Sequence, residues 1–328
     1  PTQRELVQRI ESLQEHKRLT VDGVRITAVK LIETLYAQSR FELVWTDPKK
    51  VDDLLRAIDD IYLDGLNPQD YYLDRLKKMR AELATKPDVA RRVDFDILLT
   101  DAMSRLAYNA FYGKVDPERI DPHINVQQEW TGERGAALAT EFLESKSLYQ
   151  KIEELKPTHP KYELYRQALA KYRGIAEAGG WKKIPSGKVL KEGRSDPRVP
   201  AIRHRLAMTG DLLARLDDGN ELYDAEVEKA VHRFQGRHRL PTGDFAKKTI
   251  DAMNVPAEQR VDQIRVNLER VRWATRGMPP TRIVVNIAAF EIFFVKDNEV
   301  VWRNEAQVGK THTQTPLYMD DIEYLVLN

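Results

Sequence analysis

The feature that most constrains this chain is a change of period near residue 280. Before it, apolar residues recur every three to four positions, the spacing of amphipathic helices; from Thr281 the chain turns to strand material. Arg282 to Ile287 and Glu291 to Val295 read as strands, followed by a polar turn at Lys296-Asp297-Asn298-Glu299 and a third strand at Val300 to Asn304. The apolar run Ile322-Glu323-Tyr324-Leu325-Val326-Leu327 comes just before Asn328. A sheet finishing on that run has an apolar edge of the kind soluble proteins cover or blunt. Either a second chain covers it, or the sequence is the front part of a longer protein whose sheet continues; the second is the working expectation. The fold class expected is therefore α+β, mainly α.

Residues 1–180 read as a helical domain. Leu6, Ile10 and Leu13 share one face, and Val24, Ala28, Leu31, Ile32 and Leu35 form another stripe before Phe41-Glu42-Leu43-Val44-Trp45. Asp47-Pro48 opens a helix carrying Val51, Leu54, Leu55, Ile58 and Ile61, and Gly65 with Asn67-Pro68 ends it. Phe95 to Phe111 is the most apolar helix of this part and is expected at its centre, with Leu98, Leu99, Ala102, Leu106 and Ala110 inward. A loop-rich connection at 112–134 leads to further helices at Gly135 to Leu155 and Tyr162 to Ala178. Residues 181–195 read as a linker. The acidic positions Asp52, Asp53, Asp59, Asp60 and Asp64 are expected on the solvated face of one helix.

Composition removes several function classes. The 52 lysines and arginines balance 51 aspartates and glutamates, against the basic footprint of a dedicated nucleic-acid binder. Apolar stretches of 18 or more residues are missing, so nothing in the sequence reads as a membrane span. With no cysteine, the chain itself supplies no disulfide, thiolate metal site or thiol nucleophile. It opens at Pro1 with neither methionine nor a signal-like segment, read as a removed or processed N-terminus that permits secretion.

Residues 196–254 form a compact three-helix pattern. Ser195 or Asp196 serves as a cap with Pro197 or Pro200 in the first turn; Ile202 and Leu206 share a face and Gly210 stops the helix. Tyr223-Asp224 opens a second helix with Val227, Val231 and Phe234, and Thr249 to Met253 supplies the third. In order and spacing, Val199, Ile202, Leu206, Gly210, Tyr223-Asp224, Ala230-Val231, Phe234-Gln235, Leu240, Gly243 and Thr249 resemble a three-helix peptidoglycan-binding module. Arg239 and Ala246 stand where that module usually has glycine.

The resemblance continues. Arg265 to Arg270 with Arg272-Trp273 is similar to the linker helix (255–280) of large periplasmic L,D-transpeptidases. Val284-Val285-Asn286-Ile287, Phe290, Val308-Gly309-Lys310 and Thr315-Pro316 resemble the opening strands and loop of their catalytic domain, which would begin at 281 and be incomplete at 328. The helical scaffold 1–180, with Asp64-Gly65-Leu66-Asn67-Pro68, fits the same family by weaker motifs. The resemblance implies acyl transfer between peptidoglycan stem peptides through a cysteine thioester, in the bacterial periplasm or cell envelope. It implies peptidoglycan as partner, with cell-wall synthesis proteins beside it and no cofactor, metal, nucleic acid or nucleotide. The family's cysteine–histidine segment is not in this sequence, so no catalytic residue is expected here. Arg203, Tyr223, Gln235, His238, Gly243 and Asp244 are the candidates for peptidoglycan contact.

Other motifs have plainer readings. His204, His232 and His238 match no zinc spacing and are expected at the surface or in a groove. Gly309-Lys310-Thr311 imitates the tail of a phosphate loop, but Asn304 stands where the earlier glycine belongs. His312 has no nucleophile or metal partner near it in sequence. Asp217-Asp218-Gly219-Asn220 fits a turn better than a calcium loop. Around the basic helix His232 to Arg239, residues 196–254 hold ten lysines and arginines and ten aspartates and glutamates, so a stem-peptide carboxylate suits it better than a phosphate backbone. Two alternatives stay open: a non-catalytic wall-binding adaptor, and a helical protein–protein scaffold whose open sheet edge takes a strand from a partner.

Overall fold

The computed structural model describes residues 1–16, 18–120, 132–310, 312–317 and 319–324. Among them are twelve α-helices, two-residue strand pairings and one three-stranded antiparallel sheet, so the chain is α+β and mainly α. It packs as two compact units, Pro1–Arg166 with Asn267–Pro279 and Gly309–Asn328, and Gln167–Val266 with Pro280–Val308.

The first unit opens with α1 (Thr2–His16), a hairpin of β1 (Thr20–Val21) and β2 (Val24–Arg25), and α2 (Val29–Gln38). α3 (Pro48–Asp60), α4 (Leu73–Thr85), α5 (Val89–Tyr112), α6 (Gly132–Glu144), α7 (Leu148–Glu154) and the start of α8 (Pro160–Glu177) follow. Local chemistry sets their beginnings. Asp47 accepts from Lys49 N at 2.9 Å with Pro48 in the first turn, and Asp88 accepts from Arg91 N at 2.7 Å. That second cap starts α5 six residues earlier than its apolar stripe indicates. α5 is the central helix, packed by α1, α2, α3, α4, α6 and α7, with Leu98, Leu99, Ala102, Leu106 and Ala110 all buried. Within the 112–134 connection, residues 121–131 lie outside the described residues.

The core of this unit is not wholly apolar. Asp96 on α5 accepts from Tyr36 Oη at 2.8 Å, Val44 N at 3.1 Å and Trp45 N at 3.0 Å. One helical turn on, Asp101 accepts from Thr27 N at 2.8 Å, Ala28 N at 2.7 Å and Tyr72 Oη at 2.8 Å. The two carboxylates thus satisfy amides of irregular chain ahead of α2 and α3 that no helix or strand ladder serves. Ala28 has no side chain to cap α2, and Asp101 supplies the acceptor from another helix.

Asp64 corrects the sequence reading. It is 0% exposed, with Oδ2 2.6 Å from Lys156 Nζ and Oδ1 2.9 Å from Arg166 Nε. α3 ends at Asp60 and Ile61–Asp64 is a 3-10 turn, so Asp64 leaves the register that keeps Asp59 outside. Asp53 and Asp60 are also in use: Asp53 accepts from Ser147 Oγ at 3.0 Å and Tyr149 N at 3.2 Å, and Asp60 from Tyr149 Oη at 2.9 Å. Arg272 adds to the buried charge, donating to Glu269 Oε2 at 2.9 Å, Tyr162 Oη at 3.2 Å and the Asp64 carbonyl. Glu269 also takes Val115 N at 2.8 Å, and Gly113, at φ +89°, leaves room for that carboxylate. A Cβ at Gly113 would collide with Glu269 Oε1 and sit 3.2 Å from Trp273. Gly113→Ala is therefore expected to cost about 2–3 kcal/mol, from left-handed strain plus the displaced carboxylate, measured by urea unfolding. A loss below about 0.5 kcal/mol would show that Glu269 moves aside freely.

The second unit contains the rest of α8, then β3 (Arg194–Ser195), α9 (Val199–Thr209), β4 (Leu222–Tyr223), α10 (Ala225–Arg237), α11 (Lys247–Met253) and the first turns of α12 (Ala257–Ala274). Val199, Ile202, Leu206, Tyr223, Val227, Val231, Phe234, Ile250 and Met253 share one core. Ile184 and Leu190, from the stretch read as a linker, are buried in the same core, and Leu190 N donates to the Phe245 carbonyl at 3.2 Å. Ile184 and the Val189-Leu190 pair, set among polar residues, carry no periodicity, which is why the stretch reads as a linker. Gly210, at φ +81°, ends α9, and Asp224 caps α10 through Glu226 N and Val227 N. α9 begins at Val199 with Arg198 at its cap position; Asp196, two residues earlier, accepts from Arg198 N at 2.9 Å and grips the Arg198 guanidinium at 2.8 and 2.9 Å.

The strands of this unit are β5 (Arg282–Asn286), β6 (Glu291–Lys296) and β7 (Glu299–Glu305), antiparallel in that order. Val284 faces Phe293, and Phe294 faces Trp302. Asp297 and Asn298 make the two-residue turn with φ of 52° and 67°, matching the twist of a tight hairpin. The sheet edge expected at 322–327 is not formed by Ile322, Glu323 or Tyr324, which are exposed irregular chain; Leu325, Val326 and Leu327 lie outside the described residues.

Candidate functional site

The six wall-contact candidates all fall in the second unit, in two different settings. Four are tied to its own architecture. Arg203, 1% exposed, donates to the carbonyls of Leu216, Asn220 and Leu222 and to Asp224 Oδ2 at 2.5 Å. It fastens the 216–224 segment to the capped start of α10, leaving its guanidinium enclosed by the protein. Gln235, also 1% exposed, donates to the Gly243 carbonyl at 3.1 Å and Thr249 Oγ1 at 3.0 Å, while its oxygen accepts from Gly243 N at 3.0 Å. Gln235 and Gly243 therefore close the 238–246 loop on themselves, with the Gln235 amide and the Gly243 backbone groups already paired within the protein. Tyr223 is buried with its ring 6.3 Å from Phe245, and its hydroxyl finds no partner among the described residues. Burial, then the charges of Glu228 and Asp244, push that hydroxyl well above the usual tyrosine range.

Asp244 is exposed, with Oδ2 3.8 Å from Lys191 Nζ, and remains reachable by a ligand. His238 sits elsewhere, half-buried, its ring 4.1 Å from that of Phe234. Burial, followed by the charges of Arg237, Arg260 and Arg205, pushes it down to about 4, so it is neutral at pH 7. His204 is exposed and pairs with Asp217 at 2.8 Å.

Around His238 the fold collects Arg237, from the basic helix already noted, and residues that sequence reading did not single out. Arg205 lies flat over Trp181 at 3.5 Å, and Tyr172 meets Trp181 edge-on at 6.2 Å. Arg237 holds Asp211 by two bonds, at 2.6 and 3.2 Å, and reaches Tyr172 Oη at 3.4 Å. Arg205 could have been flagged as a charge inside the apolar stripe of Ile202 and Leu206. Trp181 follows two glycines at φ +95° and +67°, a turn signal compatible with presenting one large side chain.

The remaining motifs keep modest roles. Asp217 to Asn220 form a turn, with Asp218 accepting from Asn220 N at 3.0 Å and Gly219 at φ +74°. Lys310 pairs only in an isolated bridge with Thr313, His312 is exposed beside it, and Thr311 lies outside the described residues. Among the described residues no group of three or more His, Asp or Glu side chains could hold a metal ion. No helix among them is long and apolar enough to cross a membrane.

Residues 30–169 match the family model described as Scaffold domain. The match runs from the first turn of α2 into α8. No curated protein matches the chain.

Proposed function

We propose that this chain carries the scaffold and wall-binding parts of a peptidoglycan L,D-transpeptidase acting in the periplasm, with peptidoglycan as its ligand. What carries the reading is order along one chain: a scaffold domain at 30–169, then α9, α10 and α11 bearing the Ala230-Val231, Phe234-Gln235 and Gly243 positions of a wall-binding module, then a long helix and antiparallel strands. In the reaction so implied, a cysteine thiolate attacks the stem-peptide carbonyl, a thioester forms and the terminal D-alanine leaves as its amine. A neighbouring stem's amine then attacks the thioester, forming the amide and returning the thiolate. This chain contains no cysteine, so it positions wall substrate and does not itself perform the chemistry.

The lack of cysteine also favours a second reading, a wall-binding adaptor without catalysis. One experiment addresses what both share. The full chain, incubated with purified sacculi and centrifuged, is expected to sediment with them and to be displaced by soluble muropeptides. Absence of retention, with the chain shown folded by circular dichroism, would remove both readings and leave the protein–protein scaffold. Retention with release of D-alanine from tetrapeptide stems would contradict the assignment of the chemistry to another polypeptide segment.

A further inference from the structure

We propose that Arg205, Arg260 and His238, roofed by Trp181, form a binding site for a single oxyanion group, the carboxylate of a peptide terminus or a phosphate. The first argument is charge. Arg205 and Arg260 both lie near Arg237, and the carboxylate near Arg205, Asp211, is already held by Arg237 with two bonds. Among the described residues neither Arg205 nor Arg260 makes an ion pair. Arg205 spends Nε on the Met253 carbonyl at 3.0 Å and Nη1 on Thr209 Oγ1 at 3.1 Å; Arg260 uses the Ala252 carbonyl and Gln263 Oε1, both at 2.9 Å.

The second argument is unused hydrogen-bonding capacity. Arg205 Nη2, Arg260 Nε, His238 Nε2 and Trp181 Nε1 are enclosed by protein, yet none has a partner among the described residues. Arg205 itself is 1% exposed. Buried polar atoms are nearly always paired, because each one left without a partner costs about 1–3 kcal/mol. The four nitrogens belong to Arg205, the Trp181 stacked on it, and His238 and Arg260 within reach of its charge. Stacking on Trp181 accounts for the face of the Arg205 guanidinium but not for its edge.

The third argument is convergence. Phe234 is the shared plate: Arg205 and Arg237 each lie 5.4 Å from its centre and the His238 ring 4.1 Å. Trp181 closes over Arg205 directly after two glycines in the left-handed region. Burial first, then the charges of neighbouring arginines, lower both His238 and Arg205, to about 4 and about 10, with Asp211 opposing in each case. Residues 196–254 are charge-balanced as a whole, which favours one small anionic group over a polyanion.

Assigning the carboxylate to a wall stem peptide rests on the function proposed above; the site itself does not. The test follows the Trp181 indole N–H resonance of the full chain, identified by its loss in Trp181→Phe. Nα-acetyl-D-alanyl-D-alanine, its C-terminal amide and inorganic phosphate are titrated separately at constant ionic strength. The free acid is expected to shift the resonance saturably with half-saturation near roughly 1 mM, the amide not to, and Arg260→Gln to weaken the response at least about tenfold. Saturation by phosphate alone also supports the site and names phosphate as the source. Arg260 is half-buried and its substitution is the milder one; Arg205→Gln, checked for folding, gives an independent second loss. A flat response to all three compounds, equal binding of acid and amide, or an unchanged response in folded Arg260→Gln overturns the proposal. Sacculus retention with a flat titration removes this site and leaves wall binding; a saturable titration without retention does the reverse.

Discussion

Arg272→Ala should be the most damaging single substitution in the first unit, costing about 3–5 kcal/mol and lowering its thermal midpoint by on the order of 10 °C. Arg272 is 1% exposed and ties together Glu269, the Tyr162 hydroxyl and the Asp64 carbonyl. Truncation removes the cation but leaves the Glu269 carboxylate in place, largely buried and without its counter-charge. Arg272→Met separates charge from volume. It should remain nearly as destabilised as the alanine variant, while adding Glu269→Gln to it should recover about 1–2 kcal/mol by removing the stranded charge. Urea unfolding of wild type, Arg272→Met, Glu269→Gln and the double variant gives the cycle. A methionine variant close to wild type would mean that Arg272 acts by filling space and the ion network contributes little.

Asp96→Ala is the second large loss, about 3 kcal/mol. It strands the amides of Val44 and Trp45 and the Tyr36 hydroxyl in the interior at once. Asp96→Asn keeps one acceptor oxygen but turns an amide donor toward a backbone N–H, so roughly half of the loss remains. The pH dependence has a definite sign. Burial is the largest influence on Asp96 and raises it above the usual carboxylate range, against the lowering by Tyr36, Val44 and Trp45. The unfolded chain therefore releases this proton at lower pH than the folded one. The lead of wild type over Asp96→Asn is greatest in acid, shrinks as pH rises through the elevated folded value, and then levels off. A lead that grows with pH across that window would show that the three donors outweigh desolvation.

Much of the fold was legible in residues 1–120 and 196–254, because helices announce themselves by period and by caps that act over two or three residues. Asp47, Asp88 and Asp224 each cap through their own neighbours, so their roles need no tertiary information. The tight turn at Asp297-Asn298 is local in the same way. Asp64 shows where this stops. Its spacing from Asp60 places it on an outward face only if the α-helix continues, and a single 3-10 turn rotates it into the core. Asp96 and Asp101 interrupt an apolar helix without any sequence mark of the distant amides they serve.

The wall-contact candidates divide along the same line. The resemblance marked Gln235 and Gly243 as fixed points of the 196–254 pattern and Arg203 as a contact candidate, but a position can be fixed by folding or by ligand, and spacing is the same for both. Only the tertiary structure shows the Gln235 amide spent on the loop and the Arg203 guanidinium spent on three carbonyls. The cluster around His238 draws on Tyr172, Trp181, Arg205, Asp211, Arg237 and Arg260, far apart in the chain, and no periodicity links them.

By itself, then, the sequence determined the helical body, the module of α9, α10 and α11, and the switch to strands near residue 280, since each depends on contacts within a few residues. The tertiary structure alone decided which charges are buried, which polar groups are already satisfied and which nitrogens lack a partner. Those properties depend on what the folded chain brings within about 3 Å, and distance in space is not written in the order of residues.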